Sequence, residues 1–295
     1  MSLFRPVIQL CRPKQWVKNL FVLLPLFFSG NMFNTPLLAE SLVAMLSFCL
    51  ASSAIYCLND LMDVESDRLH PRKRFRPVAS GAISKPTCLI MMALLLTMAE
   101  AMLLLLPHDR SVLSIIVLTA YIILNLAYCL KLKRIALIDV VIISLGFVLR
   151  VAIGGTATGI YISHWIIMMT FLLALFLSLS KRRDDIVIYN NTGEMMRRNI
   201  TRYNLEFMSQ ATTLVSTIML VSYIMYTVSP EVTARFGSNL IYITSIFVLS
   251  GLLRYIQLTV VDARTGSPTR VLLHDRFIQL CVIGWILTFA AIIYF

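Results

Sequence analysis

Nine apolar runs, each long enough to cross a bilayer, constrain this chain more than any other feature. A helix rises about 1.5 Å per residue, so roughly 17–25 apolar residues span a hydrocarbon core. Such runs fall at 17–36, 38–58, 86–106, 112–130, 136–157, 163–180, 208–228, 239–261 and 277–294. In lipid the backbone must satisfy its own hydrogen bonds, which a helix does internally. The pattern predicts an all-α membrane protein, one bundle of about nine transmembrane helices, with residues 1–295 forming a single integral-membrane domain. The first run is the weakest, because it holds Lys18, Asn19 and Pro25. At 58% hydrophobic and 14% charged, the chain lies far from the balance of soluble domains.

The basic residues orient these spans. With the N-terminus in the cytoplasm, the inside segments carry 22 of the 26 Lys and Arg side chains, the outside holds Arg110 and Arg235, and Arg150 and Arg254 fall within spans. Positive charge is retained on the cytoplasmic side of short loops, so the N-terminus is placed inside and the C-terminus outside. The net charge of +11 follows from this asymmetry together with attraction to anionic membrane lipids, and no nucleic-acid partner is needed to explain it. A bacterial cytoplasmic (inner) membrane, crossed many times, is the expected location. No removable signal peptide is expected, since no short apolar core ends at a small-residue cleavage site. The six cysteines show no CxxC spacing, so neither a zinc site nor a disulfide framework is indicated.

Loop lengths and charges then point to the chemistry. The long connections, near 59–85, 181–207 and 262–276, all lie on the predicted cytoplasmic side, with a short basic link at 131–135. Asp60, Asp63 and Asp67 sit at i, i+3 and i+7, so a continuous helix would put three carboxylates on one face. Like charges at that spacing repel unless a cation joins them, and hard oxygen ligands suit Mg²⁺ shared with a substrate phosphate. The basic run that follows, Arg72, Lys73, Arg74 and Arg76, would hold the phosphates. A second cluster, Lys181, Arg182 and Arg183 with Asp184 and Asp185, opens the 181–207 loop, and two charged loops on one side can close over one anionic substrate. Within the fifth span, Asp139 and Arg150 lie eleven residues apart, on nearly one face and about 16 Å from each other. Charges at that depth face a cavity or a partner. Gly146, Gly154 and Gly155 on the same span permit close helix approach.

These features resemble the UbiA superfamily of intramembrane prenyltransferases. Asn59, Asp60, Asp63 and Asp67 match its NDxxDxxxD motif. The run from Arg12 to Asn19, the His70-to-Pro77 segment with Ala79-Ser80-Gly81, the Tyr128-to-Arg134 segment, Gly146-Phe147-x-x-Arg150 and Ser180-to-Arg183 are similar to its phosphoribosyltransferase branch. The likeness covers most of residues 5–205.

The resemblance implies a transferase in which diphosphate leaves an activated carbon. Asn59, Asp60, Asp63 and Asp67 would bind Mg²⁺, with the three aspartates as the catalytic set. Lys18, Asn19, Arg72, Lys73, Arg74, Arg76, Tyr128, Lys131, Lys133, Asp139, Arg150, Lys181, Arg182 and Arg183 would contact substrate, with the choice between Lys131 and Lys133 left open. In the phosphoribosyl branch the donor is phosphoribosyl diphosphate and a polyprenyl phosphate lipid attacks it. The alternative is a prenyl transfer from a polyprenyl diphosphate to an aromatic acceptor. The second DxxxD motif usual in the aromatic prenyltransferases is missing here: Ile188 and Tyr189 stand where further acids would be, and basic residues dominate. A cation transporter would carry its carboxylates midway through spans, whereas here they cluster at a membrane edge. Lipid length is not legible, and a homo-oligomer is compatible with the chain.

Overall fold

The computed structural model describes residues 4–71, 73–193, 202–261, 271 and 274–294, and among them every regular element is helical. In chain order these are α1 (Phe4–Cys11), a 3₁₀ stretch (Pro13–Leu23), α2 (Leu24–Phe28), α3 (Thr35–Met62), α4 (Val64–Leu69), α5 (Lys85–Leu103), α6 (His108–Leu130) and α7 (Ile138–Thr158). There follow α8 (His164–Thr192), α9 (Leu205–Val228), α10 (Pro230–Phe236), α11 (Ser245–Val260) and α12 (Arg276–Tyr294). Eight helical segments among the described residues are long and apolar enough to cross a membrane, Leu240–Val260 counting as one. The chain is a multi-pass membrane protein.

The run at 17–36 differs from expectation. It is divided among the end of the 3₁₀ stretch, α2, and the start of α3. Pro13 and Pro25 each remove an amide donor and sit in the first turn of a new segment, which is where proline is tolerated. Helix starts elsewhere are set by side-chain caps. Asn34 accepts the Leu37 amide at 3.3 Å, Ser84 the Thr87 amide at 3.2 Å, and Asn204 the Phe207 amide at 2.7 Å.

The helices fall into two compact units, Met1–Lys133 with Leu145–Ile162, and Arg134–Ser144 with Ser163–Phe295. In the first, α3 is the central element, flanked by α5, α6, α1 and the 3₁₀ stretch. Its buried positions are mostly small, among them Ala44, Ser47, Ala51, Ser52, Ser53 and Ala54, so neighbouring backbones come close. Ser47 donates to the Ala99 carbonyl of α5 at 2.7 Å. The core combines these with Phe48, Leu103, Leu118, Tyr121 and Ile153. A separate cluster of Leu10, Cys57, Val64, Val78, Ile83 and Cys88 pins the connection between α4 and α5 to the end of α3. That anchoring, with the Arg68 Nε bond to the Ala79 carbonyl at 3.1 Å and the positive φ of Gly81, folds the segment back over α4. The second unit packs α8 against α9 and α11 against α12 around Leu172, Phe176, Met208, Val215, Leu252 and Tyr255. Leu89, Ile90, Leu94 and Met98 of α5 stay exposed, as a lipid-facing surface requires.

Gly154 of α7 lies hard against the 3₁₀ stretch: a Cβ there would lie 1.9 Å from the Val22 carbonyl oxygen. Backbone cannot yield as a side-chain tip can. Gly154→Ala should therefore lose about 1–3 kcal/mol of stability. Gly251→Ala, where a Cβ would meet Cys281 at an ordinary 3.6 Å, serves as the control. Thermal unfolding in detergent micelles should show a lowered midpoint for Gly154→Ala and little change for Gly251→Ala.

Candidate active site

The end of α3 carries Asn59 and Asp60, but the helix does not run on to Asp67. It stops at Met62, Asp63 caps it, and α4 begins at Val64. The break turns the chain, so the three carboxylates are matched by cations from different segments rather than lined along one helix face. Asp60 is 2% exposed; its Oδ1 accepts from Arg12 Nη2 at 2.5 Å and from Arg76 Nη1 at 3.3 Å. The same Arg76 nitrogen donates to Asp67 Oδ2 at 2.6 Å, and Asp67 is 3% exposed. Asp63 pairs with Lys133 Nζ at 2.7 Å, and Lys133 also reaches Asn59 Oδ1 at 3.5 Å. Arg12 further stacks its guanidinium 4.8 Å from the centroid of the Tyr56 ring.

The donor set fits a hard divalent cation, being carboxylates with a neighbouring amide oxygen. One observation speaks for such a ligand directly: Asp60 Oδ2 is buried and, among the described residues, has no hydrogen-bond partner. A buried carboxylate oxygen left in that state is costly without a cation. With Arg12, Arg76 and Lys133 in place, no three carboxylate, imidazole or thiol groups among the described residues converge closely enough to hold an ion.

The other predicted site residues divide into those near this cluster and those placed elsewhere. Lys133 is drawn into the cluster while Lys131, at the end of α6, is exposed, which distinguishes the two lysines that sequence left equivalent. Arg74 is exposed and lies over the ring of Phe75, Lys73 is half-buried in the same 3₁₀ turn, and Arg72 falls outside the described residues. Tyr128 packs against the core of the first unit, and Lys18 is half-buried on the 3₁₀ stretch. Asn19, 1% exposed, accepts from Arg150 Nε at 2.8 Å and donates to Cys49 Sγ at 3.1 Å and Ser52 Oγ at 3.4 Å.

Arg150 is enclosed by neutral oxygens and aromatic faces. Its Nη1 donates to the Gly146 carbonyl at 2.6 Å and its Nη2 to the Tyr121 hydroxyl at 3.3 Å. The rings of Phe48, Tyr121 and Phe147 stand 4.8, 5.1 and 5.1 Å from the guanidinium. Asp139, on the same helix, has partners of a different kind in the second unit. It binds Arg182 Nε at 2.7 Å and accepts from the Tyr203 hydroxyl at 3.1 Å. Burial, reinforced by that carboxylate, pushes the Tyr203 phenol up to about 12, which keeps it a donor.

Lys181 to Asp185 are not in a loop, since α8 continues to Thr192. Arg182 is 2% exposed and also reaches Asp185 at 3.2 Å. Arg183 is buried, bonded to the Thr259 carbonyl and, at 3.2 Å, to Ser209 Oγ. Arg182, Arg183 and Asp139 thus make internal contacts, and pairing lets charge stay inside a helix that composition alone would end. Lys181 is exposed. In the sequence Arg12 stands out only as part of the inside positive charge and of the N-terminal run; its salt bridge to Asp60 spans 48 positions, beyond any local periodicity.

A family model described as the UbiA prenyltransferase family matches residues 20–280. The chain belongs to the UbiA prenyltransferase family. Its enzymatic class is accordingly that of a transferase. Within curated relatives, it is 33% identical to a decaprenyl-phosphate phosphoribosyltransferase of Mycolicibacterium smegmatis, covering 100% of this chain and 94% of that one. It is 31% identical to the Corynebacterium glutamicum protein of the same name, covering 98% and 86%. Among solved structures, a UbiA homolog from Archaeoglobus fulgidus bound to DMAPP and Mg²⁺ superposes with a TM-score of 0.71 at 18% identity, covering 97% and 98% of the two chains. The UbiA fold is therefore present along nearly the whole length.

In this family member the Asp139–Arg182 pair is expected to be structural. Removing one partner of a buried pair leaves a stranded charge, so Asp139→Ala should cost about 3–5 kcal/mol. The double variant with Arg182→Ala should lose less than the sum of the singles, as read by thermal unfolding of all four forms.

Proposed function

We propose that the protein transfers the 5-phosphoribosyl group of phosphoribosyl diphosphate to a polyprenyl phosphate, releasing diphosphate. The observation that carries this reading is the 31–33% identity to decaprenyl-phosphate phosphoribosyltransferases over nearly full length. The site supports it. Buried carboxylates fit a divalent cation, and Arg12, Arg76 and Lys133 supply positive charge beside them for phosphate oxygens. Asp184 and Asp185, where an aromatic prenyltransferase has its second acidic motif, are buried in α8, and Asp185 is already paired with Arg182.

In the reaction the bond between the anomeric carbon and diphosphate oxygen breaks, its electron pair leaving with diphosphate, while an oxygen of the lipid phosphate bonds to that carbon. The acceptor is itself an anion, so no protein nucleophile is required. Asp60, Asp63 and Asp67, with Asn59 beside them, would hold Mg²⁺, which when bound supplies charge neutralisation for the leaving diphosphate. Arg76 and Lys133 orient phosphate oxygens and stabilise the charge that develops on them. Lys73, Arg74 and Lys131 widen the basic surface that attracts the donor. The charge asymmetry of the loops supports a bacterial cytoplasmic membrane with the active face in the cytoplasm, where soluble phosphorylated donors occur.

Purified protein given Mg²⁺, a polyprenyl phosphate and ribose-labelled phosphoribosyl diphosphate should place label in the lipid extract. Asp60→Ala and Asp63→Ala should each lower that rate by about a hundredfold or more. Transfer of a prenyl group from labelled prenyl diphosphate to an aromatic acid, with no ribosyl transfer, would overturn this reading.

A further inference from the structure

Arg12 closes α1 in a left-handed turn, its N–H donating to the Ile8 carbonyl at 3.2 Å. Its backbone lies in the left-handed region, at φ 51° and ψ 55°, immediately before Pro13. A side chain with a Cβ adopts that region at a cost, and such strain gathers at functional sites. Strain alone assigns nothing, but what the side chain does with it is informative. Its guanidinium is delivered to Asp60 Oδ1, on a carboxylate whose other oxygen is buried and without a partner among the described residues. Arg12 keeps 25% of its side chain exposed, whereas Asp60 keeps 2%. The carboxylate is fixed in the interior, and the cation sits on the accessible side of it.

The three cations of the cluster are not equivalent. Arg76 bridges Asp60 and Asp67, so it retains one carboxylate if it loses the other. Lys133 is paired with Asp63. Arg12 has Asp60 as its carboxylate partner among the described residues, and the Tyr56 ring would keep the guanidinium nearby if that bond broke. A divalent cation on Asp60 repels the guanidinium that shares the carboxylate. We propose that Arg12 is a counter-cation that competes with the metal for Asp60 and, once displaced, binds an anionic oxygen of the diphosphate donor. This rests on the metal-diphosphate reading of the site and adds an order to it: Arg12 leaves Asp60 before it meets the donor.

The proposal gives two effects of opposite sign. In the full-length detergent-solubilised protein without donor, free Mn²⁺ is followed by its paramagnetic resonance during titration. Arg12→Gln should bind Mn²⁺ about tenfold more tightly than wild type, the size of effect that loss of one adjacent charge brings. The same variant should raise KM for phosphoribosyl diphosphate about tenfold, through loss of a charge-assisted hydrogen bond. Arg12→Lys, which keeps charge but not the planar fork, should fall between on both measures. Arg12→Gly removes the guanidinium and also relieves the backbone, so it should reproduce the tighter Mn²⁺ binding with a melting midpoint at or above that of Arg12→Gln. Weaker or unchanged Mn²⁺ binding in folded Arg12→Gln and Arg12→Gly overturns the competition, and an unchanged KM overturns the donor contact. Failure of wild type to transfer ribosyl groups would strike the donor assignment instead, because the Mn²⁺ titration needs no donor.

Discussion

Asp60 is almost wholly buried at the end of a 28-residue apolar helix, and the guanidinium groups of Arg12 and Arg76 offset its charge there. An isolated carboxylate in such surroundings would be held neutral or forced out. Meeting that constraint organises the first unit. The N-terminal segment turns at Arg12, which sits alongside α3, and the chain after α4 folds back to return Arg76. Both are held by apolar contacts, since Leu10, Val78 and Ile83 share one cluster with Cys57 beneath the acidic residues. The site is thus built by packing that brings distant cations to carboxylates which a membrane helix could not otherwise carry.

Charge is handled differently at the other buried positions. Arg150 has carbonyl oxygens, a hydroxyl and three aromatic faces around it, and these tie the 3₁₀ stretch, α3, α6 and α7 together. Asp139 and Arg182 neutralise one another in the second unit, with Tyr203 completing the carboxylate's bonds. Such arrangements fix geometry more than they add net stability, because desolvation offsets most of the Coulomb gain. The Asp60 cluster differs from both in having a carboxylate oxygen left over.

Much of this was legible in the sequence because the strongest signals are local. Apolar runs longer than about 17 residues identify spans regardless of how they pack, and Asp60, Asp63 and Asp67 stand out against an apolar background. The spacing of the aspartates marks the cluster but not its local geometry, since i, i+3 and i+7 share a face only if the helix continues past Asp63. Charged residues were read as ending span six at Ser180, whereas pairing of Arg182 with Asp139 and Asp185 allows α8 to continue. Asp139 and Arg150 were read together from helical periodicity, but partners on other elements separate them. Arg12 was missed as a member of the acidic cluster because a contact across 48 positions has no periodic trace.

The central claim is that the Asp60, Asp63 and Asp67 cluster holds a divalent cation against the diphosphate of a soluble donor. Electron–nuclear double resonance on the Mn²⁺-loaded protein, recorded with phosphoribosyl diphosphate, tests it most directly. The account predicts ³¹P coupling to the bound Mn²⁺ in wild type, lost together with Mn²⁺ affinity in Asp63→Asn. Mn²⁺ binding that is unaffected by Asp63→Asn, or a bound ion without ³¹P coupling in the presence of saturating donor, would contradict it.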